Sequence, residues 1–341
     1  MKKNSKLSGW IIIASILLVI SVMVAAMLGE AKIGFETVFE VVGGKLFREA
    51  LPTVPKGIQA IVWDIRLPRI LTGVFVGAGL AVSGAVFQAL LRNPLADPYT
   101  IGISTGAALG ATVAIFFSAI LQIASIAIMP AAFVGAIGTL FLVIKIAGNS
   151  QTFNSSSLIV AGIIVASIGS AAISLLKSLS GDEVSLIVFW LMGSLASRTW
   201  QHVMVLVPII VLGAFIATIY GRELNLLSIG EEDALSLGVN VKRTRLILLI
   251  TASLMTAACV SVSGIIGFVG LVIPHIMRQF ITTDHKYLMP LSALAGAWLL
   301  MAADNITRVL LVVELPVGVL TTLLGGPFFI YLFTRKEQRL I

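Results

Sequence analysis

Long hydrophobic stretches separated by short polar clusters dominate the pattern of this chain. A helix that crosses a membrane needs about 20 mostly apolar residues to span about 30 Å of hydrocarbon. Backbone polar groups in lipid must be paired within their own segment, and these stretches are too long and too uniformly apolar for barrel strands, so we predict an all-α fold. The predicted spans, about ten in number, are 10–28, 70–91, 99–117, 128–146, 156–176, 203–220, 246–266, 268–281, 287–303 and 315–333.

The eighth of these spans, 268–281, is too short to cross a bilayer unaided. Composition agrees with a polytopic membrane protein: 58% of the 341 residues are hydrophobic and 11% are charged, against about 25% charged in soluble domains. The basic start and the apolar run after it are also typical of a signal peptide. The run is longer than a usual signal core, so an uncleaved first span is the favoured interpretation.

The distribution of Lys and Arg predicts the orientation of the chain. With an even number of spans both termini lie on one side, and their basic residues place that side in the cytoplasm. We expect one transmembrane domain over 1–341, with an outer segment at 30–69 and a cytoplasmic segment at 221–245. The basic residues that set this orientation are Lys2, Lys3, Lys6, Arg222, Lys242, Arg243, Arg245, Arg335, Lys336 and Arg339.

The cytoplasmic segment contains a short polar helix with signals at both ends. Ser228 and Glu231 have the spacing of a capping box, and acidic residues 231–233 suit the positive end of the helix dipole. Gly238 is expected to end this helix, and Asn240 to cap the next span. One interpretation is a solvated connector between spans. The other is a contact helix, because a connector has no need of defined ends.

The sequence of this membrane protein shows neither a charged path through the membrane nor an ATPase motif. No ionisable residue lies in the middle of a predicted span, where a charge is costly and usually marks an ion path. The phosphate-binding GxxxxGK[ST] pattern is also absent from the sequence, so ATP would have to be hydrolysed by another subunit. Sodium sites built from carbonyl and hydroxyl oxygens would escape this test, which leaves an ion-coupled carrier as the alternative. His202, His275 and His285 are scattered and form no catalytic pattern.

Small residues recur at helical spacing in two of the spans. Gly73 and Gly77, and then Gly102, Gly106 and Gly110, follow the GxxxG pattern of close helix packing. The alternative is that these faces line a translocation path. The segment RNPLADP at 92–98 ends a span with two prolines, which is typical of a tight turn and equally compatible with a gate.

Several stretches together resemble the FecCD family of ABC-importer permeases. They occur in order along nearly the whole chain and are RLPR (66–69), GAGLAVSGAVFQALLRNPLADP (77–98), GISTGAALGA (102–111), GFVGLVIPHIMR (267–278), AADNITRV (302–309) and ELPVGVLTTLLGGPFFIYL (314–332).

This resemblance implies a ten-helix permease of the prokaryotic inner membrane that imports ferric siderophores, haem or cobalamin. A second permease chain, usually an identical copy, would complete the path. Two ATPase subunits would attach from the cytoplasm and hold ATP and Mg, whereas this chain would hold no cofactor or metal. An external binding protein would deliver the chelate, and nucleic acid is not an expected partner. The longer outer segment at 41–60 departs from the cobalamin branch and favours a ferric siderophore or haem.

The resemblance also implies roles for particular residues. Arg66, Arg69 and Arg308 match external basic residues that receive acidic groups of the binding protein. Asn93 and Leu95 match a cytoplasmic gate. The residues implied to couple the permease to the ATPase are Ser228, Glu231, Glu232, Asp233, Leu235, Leu237 and Gly238.

Overall fold

The described part of the chain is built from helices, and it contains no β-strand. The computed structural model describes residues 2–29, 31–48, 51–121, 127–148, 155–309 and 314–337. The helices are α1 (Lys2–Met27), α2 (Phe35–Phe47), α3 (Lys56–Ala60), α4 (Leu67–Leu90), α5 (Ile103–Leu121), α6 (Ile128–Gly148), α7 (Ser155–Leu179), α8 (Val184–Leu191), α9 (Trp200–Ile219), α10 (Gly221–Ile229), α11 (Glu231–Ser236), α12 (Val241–Ser263), α13 (Val269–Phe280), α14 (His285–Val309) and α15 (Val317–Glu337).

Eight helices within the described ranges are long and apolar enough to cross a membrane, which confirms the all-α membrane fold. A π-helical segment, Ile61–Arg66, joins α3 to α4, so that one continuous helix runs over Lys56–Leu90. Helix α13 has only 12 residues, in agreement with the short eighth span predicted. The total of about ten spans, the single domain and the cytoplasmic termini stay predictions. Arg339, one of the residues used to predict the orientation, and Glu30, the first residue of the outer segment, lie outside the described residues.

Helix α4 lies at the centre of the bundle. In its most apolar window 83% of the helix is buried, against 11% for α1 at the periphery. Two glycines allow the close packing: a Cβ on Gly77 would overlap the carbonyl oxygen of Gly296 in α14, and one on Gly84 would overlap that of Gly270 in α13. The packing interpretation of the glycine pattern is therefore confirmed at Gly77.

The second glycine series serves the contact between α5 and α6. A Cβ on Gly106 would lie 2.6 Å from the carbonyl oxygen of Gly135, and one on Gly110 would overlap that of Ala131. Gly102, with φ +80°, lies just before α5 in a backbone conformation that other residues rarely adopt. These contacts confirm close helix packing for this series as well.

Side-chain contacts define two ends of the bundle. At the first, which we call the outer end, the guanidinium of Arg308 near the end of α14 donates to the carbonyl of Ala25 in α1 (2.8 Å). There too, the indole of Trp200 donates to the carbonyl of Trp63 (2.9 Å). At the other, the inner end, the hydroxyl of Ser155 donates to the carbonyl of Leu90 (2.9 Å), so α7 begins where α4 ends. The segment at 221–245 belongs to the inner end.

Helices α2 and α8 are short elements that lie outside the predicted spans. Helix α2 lies in the outer segment and buries Val38 and Val41 against the end of α1 and the π-helical segment, while Phe35 and Phe39 stay exposed. Helix α8 has eight residues and lies between α7 and α9. It is too short to cross a membrane, so an analysis based on spans of about 20 residues passes over it.

Candidate coupling and gating site

The segment at 221–245 forms two short helices, α10 and α11, ahead of α12, instead of the single helix predicted. The chain is extended at Gly230 (φ −179°, ψ 158°), which separates them. Ser228 lies inside α10, where its hydroxyl donates to the carbonyl of Leu224 one turn earlier (2.7 Å). No side chain caps α11. The predicted capping box between Ser228 and Glu231 is therefore wrong, because α10 continues through Ser228 and its hydroxyl bonds within that helix.

The far end of α11 was predicted correctly. Gly238 has φ +83°, its amide donates to the carbonyl of Leu235 (3.0 Å), and the next amide, of Val239, donates to the carbonyl of Ala234 (3.0 Å). These two bonds form a Schellman motif, which requires a left-handed residue after the helix. The side chain of Asn240 then accepts from the amide of Arg243 (3.1 Å) and caps α12, as predicted.

Helix α11 is fixed to the bundle on one face and exposed on the other. Arg245, which is buried in α12, forms an ion pair with Glu231, and Ala234 is fully buried beneath the helix. Leu235 in the helix and Leu237, which follows its last residue, remain 59% and 60% exposed. The carboxylates of Glu232 and Asp233 are also exposed, at the positive end of the helix. The result is a small rigid platform with an apolar surface.

Helix α10 is connected to the start of α14 by a polar network. The side-chain amide of Asn225 donates to Asp284 (2.8 Å), and its oxygen accepts from the backbone amide of His285 (2.9 Å). Gly221 allows the close approach, because a Cβ there would lie 2.7 Å from the backbone nitrogen of Lys286. A displacement of α10 would therefore be transmitted to α14.

The predicted gate residues lie in the loop between α4 and α5. The side-chain oxygen of Asn93 accepts from the amide of Leu95 (2.9 Å), which closes a tight turn, and Leu95 is 48% exposed. Arg92, just before the turn, has φ +50°, an uncommon conformation for a residue with a side chain. Farther along the loop, the hydroxyl of Tyr99 donates to the carbonyl of Ile266 (2.6 Å), between α12 and α13.

A cavity of about 360 Å³ brings the loop of the predicted gate and the segment at 221–245 together at the inner end. Asn93 and Ser228 both line it. So does the end of α4, where Gln88 donates to the carbonyl of Leu271 (3.1 Å) and accepts from the guanidinium of Arg278 (2.5 Å). Sequence reasoning missed Gln88 and Arg278. A glutamine within the apolar end of a span was the signal that could have identified this position.

At the outer end, Arg69 and Arg66 both have partners within the chain. Arg69 donates to both carboxylate oxygens of buried Asp304 (2.9 and 2.8 Å) and forms a further ion pair with Glu314, whose side chain is 47% exposed. Arg66 is 5% exposed and donates to the carbonyls of Ala26 (2.8 Å) and Ala31 (2.5 Å). Its guanidinium therefore fastens the end of α1, and this burial argues against direct contact with a partner.

Arg308 is partly buried, and its Nε has no hydrogen-bond partner among the described residues. Arg198, in the loop before α9, lies nearby. Burial, and to a lesser degree the positive charge of Arg69, lower the pKa of Arg198. Four arginines, Arg66, Arg69, Arg198 and Arg308, thus lie close together at the outer end, where Arg69 pairs with Asp304 and Glu314. A docking role for Arg66, Arg69 and Arg308 stays a prediction.

Comparison with known proteins identifies the fold and the family. Residues 17–335 match the FecCD transport family. The chain belongs to that family. It is 45% identical over 84% of its length to the cobalamin import system permease protein of Halobacterium salinarum, of which 76% is covered. It is 40% identical to the hemin transport system permease protein of Yersinia pestis, over 95% of each chain.

Comparison with a solved structure supports the same conclusion. A metal-chelate type ABC transporter in an inward-facing conformation matches with a TM-score of 0.82 and 33% identity, covering 96% of this chain and 99% of that one. The FecCD protein described here is therefore a multi-pass permease subunit of an ABC importer in the prokaryotic inner membrane. ABC permeases work with an ATPase and a substrate-binding partner, and ATP hydrolysis resides in the separate ATPase subunit.

Proposed function

We propose that two copies of this chain enclose a path through which a bulky metal chelate enters the cell. A ferric siderophore, haem or cobalamin fits this proposal, since relatives are named for import of cobalamin, haemin and Fe(3+)-citrate. An external binding protein delivers the chelate. Two ATPase subunits, which hold ATP and Mg, supply the energy at the inner end.

The observation that carries this proposal is the platform formed by α11. A water-facing helix that leaves two leucines about 60% exposed offers an apolar contact surface, and apolar anchors dominate the energy of protein interfaces. The ion pair between Glu231 and Arg245 and the network around Asn225 connect this surface to α12 and α14. Such connections are what an ATPase would need to move the membrane helices.

The gate role of Asn93 and Leu95 rests on their position relative to α10. Their turn borders the same cavity as Ser228, so a shift of α10 against α4 would change the space beside the turn. Helices α13 and α14 contribute Arg278 and His285 to this cavity. We therefore place the moving part of the inner gate at 92–98.

Docking of the binding protein is proposed at the arginine cluster of the outer end. Asp304 is buried and bonded through both oxygens to Arg69, whereas Glu314 is about half exposed and contacts a single nitrogen. A carboxylate of the partner can therefore replace Glu314 on Arg69 without breaking the buried pair. Arg308, which is partly exposed, adds a second positive charge at the same end. Arg66 supports the cluster from beneath, by holding α1.

A labelling experiment tests the connection between the platform and the gate. Leu95→Cys places a thiol at the gate, and the native Cys259 is fully buried and so gives little background. In the reconstituted complex with its ATPase, we expect maleimide labelling of the new thiol to change between nucleotide-free and ATP-bound states. Adding Leu235→Asp and Leu237→Asp should abolish that change, because charges would replace apolar contacts at the interface. If the labelling of Leu95→Cys, with Leu235 and Leu237 unchanged, is the same with and without ATP, the gate role is contradicted.

A further inference from the structure

The cavity between the gate loop and α10 has the composition of an anion site. Arg92 from the gate loop, Arg278 from α13 and His285 from α14 line it, and in the part of the chain that the structure describes its lining contains no acidic side chain. Asp284, the acidic residue next to His285, is already engaged by the side chain of Asn225 (2.8 Å) and the backbone amide of Lys286 (3.1 Å). Two guanidinium groups therefore face a space of about 360 Å³.

One of the lining residues has a polar atom without a partner. His285 is 5% exposed, and its Nε2 makes no hydrogen bond with any described residue. A buried polar atom left unpaired costs about 1–3 kcal/mol, so such atoms are rare unless something else satisfies them. Since the other ring nitrogen is occupied by Asn225, Nε2 is the nitrogen of His285 that remains for a ligand.

The surrounding hydrogen bonds determine the tautomer of this histidine. The amide of Asn225 is oriented by two contacts: its nitrogen donates to the Asp284 carboxylate and its oxygen accepts from the backbone amide of His285 (2.9 Å). That same oxygen lies 2.6 Å from Nδ1 of the imidazole. Because an oxygen accepts, Nδ1 carries the proton, and the neutral ring presents Nε2 as an acceptor.

We propose that this cavity binds inorganic hydrogen phosphate. Its negatively charged oxygens suit the guanidiniums of Arg92 and Arg278, which bind oxyanions through charge-assisted hydrogen bonds. Its remaining O–H can donate to Nε2 of His285. Sulfate, the dianion of a phosphate monoester and the phosphodiester of a phospholipid carry no O–H on the anionic group itself. Inorganic phosphate is also released by the ATPase that works with a permease of this kind.

The proposed site lies between several elements of the fold, so a bound anion would contact all of them. Arg92 belongs to the gate loop, Arg278 to α13 and His285 to α14, and Ser228 of α10 forms another wall. A phosphate bound there would connect the inner ends of all four elements. This inference does not depend on which chelate is transported, because it concerns the permease chain alone.

The test is calorimetric titration of the full chain in phosphatidylcholine nanodiscs at pH 8, where an imidazole is neutral. We expect inorganic phosphate to bind about tenfold or more tightly than sulfate or methyl phosphate, since only hydrogen phosphate carries an O–H that can donate to the buried acceptor. His285→Asn keeps a donor toward Asn225 and removes Nε2, so this preference should disappear. Arg92→Gln should weaken the binding of all three anions by about tenfold. Arg243→Gln, an exposed inner-end arginine outside the cavity, is the control and should change nothing.

Several results would overturn the proposal. Equal affinity for phosphate and sulfate on the unmodified chain would remove the role of Nε2, and this comparison needs no variant to fold. Equal losses of anion affinity in Arg92→Gln and Arg243→Gln would indicate general attraction between the anions and positive charge at the inner end. Loss of phosphate binding when phosphatidylglycerol is added to the nanodiscs would make a lipid headgroup the occupant. Loss of phosphate binding when the ATPase is added would indicate that an acidic side chain of that subunit fills the cavity.

Discussion

Truncation of the exposed leucines in and just after α11, Leu235 and Leu237, should weaken binding of the ATPase subunit strongly. Burying a whole leucine contributes about 1.5–3 kcal/mol. Because Leu235 and Leu237 have 59% and 60% of their surface still to bury, an interface that covers them gains about 1–2 kcal/mol from each. Leu235→Ala together with Leu237→Ala should therefore cost about 2–4 kcal/mol, which raises the Kd by about 30- to 700-fold. Alanine favours helix, so α11 itself should persist.

The assay is association of the purified ATPase with the permease in nanodiscs, measured with coupled ATP hydrolysis and uptake in proteoliposomes. Leu212→Ala is the matched control, because Leu212 is also 60% exposed but lies in the membrane-spanning helix α9. That variant should bind the ATPase normally. If the double variant inserts normally and its Kd for the ATPase stays within about threefold of the original value, less than 1 kcal/mol, the platform is not the contact surface.

Two further predictions concern helix packing and the outer end. Gly84→Ala should destabilise the bundle by at least about 1–3 kcal/mol, because its Cβ would overlap the Gly270 carbonyl in α13. Gly138→Ala, with open space around it, should leave the thermal unfolding temperature unchanged or raise it slightly, because alanine favours helix. An unaltered unfolding temperature for Gly84→Ala would refute the packing. Glu314→Gln should speed association of the binding protein at low salt, because it removes a competing carboxylate from Arg69; slower association, measured by stopped flow, would contradict docking at the arginine cluster.

The pattern of apolar stretches was sufficient to predict the membrane fold and most helix positions. The reason is physical: lipid forces each span to satisfy its own backbone, so the length of an apolar stretch determines the helix. The glycine spacing identified packing faces for the same kind of reason, since only small residues permit such close approach. Helix α8 was not predicted, because its eight residues are far fewer than a membrane span needs.

The details of the functional sites depended on contacts that sequence spacing does not reveal. Ser228 and Glu231 have the spacing of a capping box, but α10 continues through Ser228 and ends at Ile229. Arg66 and Arg69 are three residues apart with the same charge, and yet one is buried on backbone carbonyls while the other holds Asp304, 235 positions away. Such long-range partners are set by the packing of distant helices, which local patterns do not encode.

The central claim is that this chain moves its substrate only when a separate subunit hydrolyses ATP. The most direct measurement is uptake of candidate metal chelates, ferric siderophores, haem and cobalamin, into proteoliposomes that contain the chain, its ATPase and its binding protein. We predict accumulation that requires ATP and the ATPase and is unaffected when ionophores collapse the sodium and proton gradients. Accumulation by the chain alone, driven by an imposed sodium or proton gradient, would contradict the account and make the protein an ion-coupled carrier.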